Sequence, residues 1–189
     1  LYYGDEKGSP SSIMTFFPWP GVMPGRAGAG LATATAFSVP SESMGFWVQR
    51  LKSLGVQTLP VLERGSQSIL TLFDNDGMRL ELVGAAGDGR SGWDGVGDIP
   101  QEHAVRGLHE VTLSERTLDA TATMLTDLLG MRLGEEHDSG ASFQMGDGKP
   151  NPSRSPGTCP EGAGFPGPSR RGSATRRWSQ PAVPEAVTH

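Results

Sequence analysis

The 189-residue chain carries a formal charge of −5 and a single cysteine, which excludes an internal disulfide framework and a zinc site built on several thiolates. The acidic balance argues against nucleic acid as a partner, and no apolar run approaches the roughly 18 residues that cross a membrane as a helix. Its 27 glycines and 15 prolines make up more than a fifth of the chain, so either loops run throughout or one part lacks a packed core.

The chain starts at Leu1, without Met and inside a strand-like run, and is expected to be a fragment. No basic stretch followed by an apolar one opens it, so a cytoplasmic protein is expected. Ser12–Phe17 is rich in β-formers and stops at Pro18-Trp19-Pro20-Gly21. Leu31–Val39 (LATATAFSV) alternates small and larger groups, as a strand does. Pro40 and Ser41 open a helix through Leu54, with Met44, Trp47, Val48, Leu51 and Leu54 on one stripe. Gly55 ends it as a left-handed cap. Thr58–Leu62 reads as a short edge or bulged strand, because Pro60 lacks a donor. Ser68–Phe73 and Met78–Val83 are strands joined by the turn Asp74-Asn75-Asp76-Gly77.

Gly84–Gly97 (GAAGDGRSGWDGVG) has no periodicity and reads as a linker. Gly107–Leu113 is a strand. Ser114 is expected to cap a helix running to Leu129, with Glu115 in its first turn and Gly130 behind it. Met131–Glu135 and Ala141–Met145 are two further strands. From about 147 onward the chain is rich in Pro, Gly and Arg and poor in large apolar groups, so disorder is expected there. The lone Cys159 in it reads as an incidental thiol. Strand, helix ending Leu-Gly, then strand recur at Leu54-Gly55 and Leu129-Gly130, which suggests a duplicated β-α-β-β-β module.

Tyr3-Gly4-Asp5, Gly8, Pro10 and Thr15–Pro20 (TFFPWP), with LATATAFSVP, DNDGMRLELV and RGLHEVTLS, resemble segments of bacterial ring-cleaving dioxygenases of the vicinal oxygen chelate (glyoxalase/bleomycin-resistance) superfamily. Ser11 stands where that pattern usually has glycine. The resemblance covers residues 1 to about 146. It implies an α+β fold of paired βαβββ modules curling around a cavity, with a disordered C-terminal tail. The division it implies is 1–30 as the end of a truncated first module, 31–84 as the second, 85–105 as a linker, 106–146 as an incomplete third, and 147–189 as tail. It also implies Fe(II) held by two His and one Glu, open to a catechol- or hydroquinone-type aromatic and O₂. Those ligands would belong to modules outside this stretch. No complete metal site is therefore expected, no catalytic residue is assigned, and the chain alone is expected to be inactive.

By internal symmetry the ligand-equivalent positions here are Glu81, Glu110 and Ala34. Glu81 and Glu110 are vestigial metal positions, or else carboxylates solvated or paired with Arg79 or Arg106. Alternation sends His109 to the face opposite Glu110, as a structural or surface histidine. His103 in the linker and His137 in Glu135-Glu136-His137-Asp138 are expected to be exposed. Trp19 is open to walling an aromatic cavity or to core packing. Gly25–Gly30 (GRAGAG) precedes a strand rather than a helix, so the dinucleotide reading fails. Alternatives to the dioxygenase are a non-catalytic module binding a small aromatic, or a glyoxalase-type isomerase. Exposed sheet edges are expected to drive homo-oligomerisation or aggregation. The tail reads as a frameshifted module, because the codon degeneracy of Gly157–Ser169 permits an out-of-frame text similar to Val22–Ala32.

Overall fold

The computed structural model describes residues 1–23, 25, 28–93, 97–137 and 140–146. The expected tail over 147–189, and Asp138, lie outside the described residues. Those described fall into two compact units, one within Leu1–Arg26 and Thr33–Val111, the other within Ala27–Ala32 and Thr112–Gly148.

In the first unit, β1 (Tyr2–Tyr3) pairs antiparallel with β2 (Met14–Thr15). Asp5 shapes the turn between them, its Oδ1 accepting from the Lys7 and Ser9 amides. β3 (Leu31–Val39) follows, then a 3-10 turn at Ser41–Ser43 and helix α1 (Met44–Ser53). α1 ends in a Schellman cap: the Gly55 amide bonds the Lys52 carbonyl and the Val56 amide bonds that of Leu51. Gly55 has φ +68°, which it adopts without a Cβ penalty. β4 (Leu62–Arg64), β5 (Gln67–Phe73) and β6 (Arg79–Gly84) form a meander, β6 lies parallel to β3, and β7 (Gly107–Ser114) completes the order β4-β5-β6-β3-β7.

Side-chain alternation divides this mixed sheet into two faces. One packs Val39, Leu70 and Leu82 against Met44, Trp47 and Leu51 of α1. Each such side chain stabilises the fold by roughly 1.5–3 kcal/mol relative to exposure. Val48 and Leu54, expected on the same stripe, are 37% and 62% exposed. The buried stripe is thus narrower than the periodicity suggests. The other face carries Ala36, Ile69 and Val83 as a small apolar cluster, and beside it Glu81.

The strand expected at Thr58–Leu62 is a single bridge, Thr58 to Leu72, with regular pairing only from Leu62. Pro60 interrupts the donor ladder, as its missing N–H requires. The stretch from Gly84 to Gly97 is no bare spacer. Ala85 and Asp88 in it are buried, and Ala104 behind it is too.

In the second unit, α2 spans Asp119–Thr123 and continues as a π-helical turn over Met124–Leu128, with Leu129 donating to the Met124 carbonyl. The expected cap at Ser114 does not form, because Ser114 is still the last residue of β7. β8 (Arg132–His137) and β9 (Gly140–Gln144) pair antiparallel, with an irregularity between Leu133 and Glu136.

Candidate functional site: a cup lined by paired charges

β6 places Glu81 at the centre of the sheet. Its register partners are Ala36 on β3 and Thr71 on β5. All three are nearly inaccessible, Glu81 at 1%. Small neighbours leave room over the carboxylate, and two arginines fill it. Arg79, two residues back on the same face of β6, donates Nη2 to Glu81 Oε1. Arg64 comes from the edge strand β4. Its Nη2 lies 4.0 Å from Glu81 Oε2, while its Nη1 donates to Glu110 Oε1 at 2.7 Å.

β4 and β7 are opposite edges of the sheet, so the Arg64–Glu110 pair shows that the sheet curls until its edges meet. The sequence reading therefore chose the right class of partner for Glu81 in Arg79. It missed Arg64, and for Glu110 it named Arg106, which instead bonds the Asp88 carbonyl. A 46-residue separation between Arg64 and Glu110 leaves no local signal for the pairing.

His109 is half-buried, with its ring Nε2 3.2 Å from Gln67 Nε2. Gln67 and Arg64 are register partners across the β4–β5 turn. Adjacent residues His109 and Glu110 thus both meet one hairpin end, where alternation alone sent them apart. Burial lowers the His109 pKa from its ordinary value and outweighs the nearby Glu110 carboxylate.

A second buried charge sits in the glycine-rich stretch. Asp88 accepts from Ser38 Oγ at 2.6 Å and from Arg90 Nη2 at 2.7 Å. Burial works against its charge, but the hydrogen bonds from Arg90 and Ser38 prevail and hold its carboxyl at about 2. His103, expected to be exposed, is half-buried. Its ring stacks on Phe46 with centroids 4.3 Å apart and meets Ser43 Oγ at 2.9 Å. Its carbonyl accepts from Trp47 Nε1. Glu135 and Glu136 are exposed on β8. Trp19 is 72% exposed, which excludes the core-packing alternative.

The first unit also holds a cavity of about 950 Å³ whose lining includes the apolar Phe16, Phe37, Leu80 and Trp93 and the carboxylates of Asp5 and Asp74. Trp19 is absent from that lining. Among the described residues, no three His, Cys, Asp or Glu side chains converge as a metal set. The cup does not fit iron as it stands. Its carboxylates already face guanidinium groups, and among the described residues no third metal-ligating side chain joins them in a set.

In sequence and fold the chain is similar to proteins named as ring-cleaving dioxygenases. MhqO and MhqE of Bacillus subtilis (strain 168), both named as such, are each 34% identical to it, over 139 and 138 residues and 73% of the chain. Chlorohydroquinone/hydroquinone 1,2-dioxygenase of Sphingobium indicum is 32% identical over 115 residues, 59% of the chain and 36% of its own length. A crystal structure of a Bacillus subtilis protein named as a dioxygenase matches with a TM-score of 0.70 and 30% identity, covering 76% of this chain and 46% of that one. The chain spans less than half the length of these relatives, 44% of MhqO and 45% of MhqE. No family model matches it.

Proposed function

We propose that this chain is part of a ring-cleaving, extradiol-type dioxygenase of the vicinal oxygen chelate superfamily, with paired βαβββ modules, and that it supplies framework rather than the iron centre. In the intact protein, Fe(II) elsewhere would act on a catechol- or hydroquinone-type aromatic. The observation that carries this reading is the cup in which Glu81 and Glu110 are both matched by arginine. Similarity to proteins named for that chemistry supports the class. The test is iron content and oxygen uptake by the purified chain with catechol and hydroquinone. No bound iron and no uptake are expected. Stoichiometric iron with oxygen consumption would overturn the reading.

A second reading, a non-catalytic module that binds a small aromatic, is favoured by the apolar cavity beside Phe37 and Trp93. Ring-bearing ligands placed there would quench tryptophan emission in a saturable way. Trp93→Leu would then abolish the quenching, and no saturation with any catechol, hydroquinone or naphthol would exclude the reading.

A further inference from the structure

We propose that Arg64 is a resident cation holding the place between Glu81 and Glu110 that a divalent metal would otherwise take. The cup is closed to metal by a guanidinium, not by a shortage of carboxylate. Two carboxylates that can reach one cation are what a hard divalent ion needs from a protein. Here one guanidinium spans that gap, 2.7 Å from Glu110 Oε1 and 4.0 Å from Glu81 Oε2.

A second observation points at the same spot. Glu81 is 1% exposed, and its Oε2 has no hydrogen-bond partner among the described residues. Its other oxygen is satisfied by Arg79. A buried carboxylate oxygen without a donor is costly unless a cation neutralises it. Arg64 supplies the charge to Glu81 from a distance and the hydrogen bond to Glu110 directly. Arg64 and Arg79 together balance Glu81 and Glu110, leaving no net charge to draw in a metal. Ala36 and Thr71, the register partners of Glu81, are short enough to leave the space open once the long Arg64 side chain is gone. The inference depends on these ion pairs alone, so it stands or falls separately from the dioxygenase reading.

The test is Mn²⁺ binding to the full chain, followed by calorimetry and by the loss of free-ion EPR signal. The wild-type chain is expected to show no saturable binding in the micromolar range. Arg64→Ala and Arg64→Gln should each gain one saturable site, tighter by about tenfold or more, and adding Glu81→Gln should remove it. Because removal of Arg64 leaves the buried Glu81 with Arg79 as its remaining ion-pair partner and takes the guanidinium from the part-exposed Glu110, the variants are expected to be destabilised. Mn²⁺ should then raise their unfolding midpoint, or restore far-UV dichroism if they are unfolded, without moving the wild type. Wild-type binding equal to that of the variants overturns the proposal. So does binding that survives Glu81→Gln. The same holds if neither variant, folded or unfolded, responds to Mn²⁺.

Discussion

Ser38 Oγ donates to Asp88 Oδ2 across 2.6 Å, and this bond fastens the inner strand β3 to the glycine-rich stretch behind β6. Arg90 donates Nη2 to the same Oδ2, and its Nη1 reaches the Leu108 carbonyl on β7. One aspartate thus connects three segments far apart in the chain.

Asp88→Asn removes the charge that Arg90 and Ser38 are arranged to hold. The expected cost is about 2–4 kcal/mol, since the Arg90 guanidinium is left half-buried without its counter-ion. Urea unfolding of the two proteins measures it. A loss below about 0.5 kcal/mol would show that the pair contributes little.

Acid should weaken the fold in two stages. His109 is pushed below its ordinary 6.5 by burial, so the folded chain favours the neutral ring. Its contribution is complete above 6.5 and declines as pH falls toward the depressed folded value. Asp88 is held at about 2 against an ordinary 3.8. Its contribution, about 2 kcal/mol, is complete above 3.8 and is lost as pH falls through 2. Unfolding free energy measured from pH 7.5 to 2.5 should show both declines, and His109→Gln should remove only the upper one. A flat wild-type profile between pH 7 and 5 would contradict the His109 assignment.

Gly107→Ala should be severe. Gly107 has φ +133°, and a Cβ there would lie 2.7 Å from the Ser11 carbonyl oxygen and 2.8 Å from Arg90 Nη1. The carbonyl is backbone, and Arg90 is tied to Asp88, so neither can retreat easily. A loss of about 2 kcal/mol or more is expected. Thermal unfolding within 2 °C of wild type, for a domain of this size a change of about 1 kcal/mol or less, would refute the clash.

Ser11→Gly should act in the opposite direction. Ser11 is the only non-glycine with positive φ among the described residues, at +66°. A left-handed L-residue costs roughly 1–2 kcal/mol, while glycine costs roughly 0.5–1 kcal/mol in lost chain entropy. A net gain of about 0.5 kcal/mol follows, with the Leu108 amide still bonded to the residue-11 carbonyl. A destabilised variant would show that the Ser11 side chain has a favourable role.

The legible parts of this molecule were the local ones. The helix ending at Gly55, the Asp74–Gly77 turn and the strands on either side of it follow from caps, turn residues and alternation over a few positions. Closeness along one strand also made Arg79 a candidate partner for Glu81. What local rules could not supply was the curl that carries Arg64 to Glu110 or the hold of Ser38 on Asp88, 50 residues on. Composition misled where glycine was dense. Asp88 and Ala85 are buried in a stretch whose residue types read as a spacer. At Ser114 a good capping residue was outbid by the strand it already belonged to.

The parallel contact between β3 and β6 has a consequence for assembly in time. Thr35 pairs with Leu80, 45 positions later, whereas β5 and β6 close over one tight turn. Nearby strands meet early, and distant ones wait for the cost of a large loop to be met. During synthesis from the N-terminus, β3 therefore emerges well before β6, with the edge it will present to β6 still bare. Through that interval its amide and carbonyl groups are free to pair with a neighbouring chain. The hazard lies in the order of arrival, and slower elongation between Val39 and Arg79 would lengthen it.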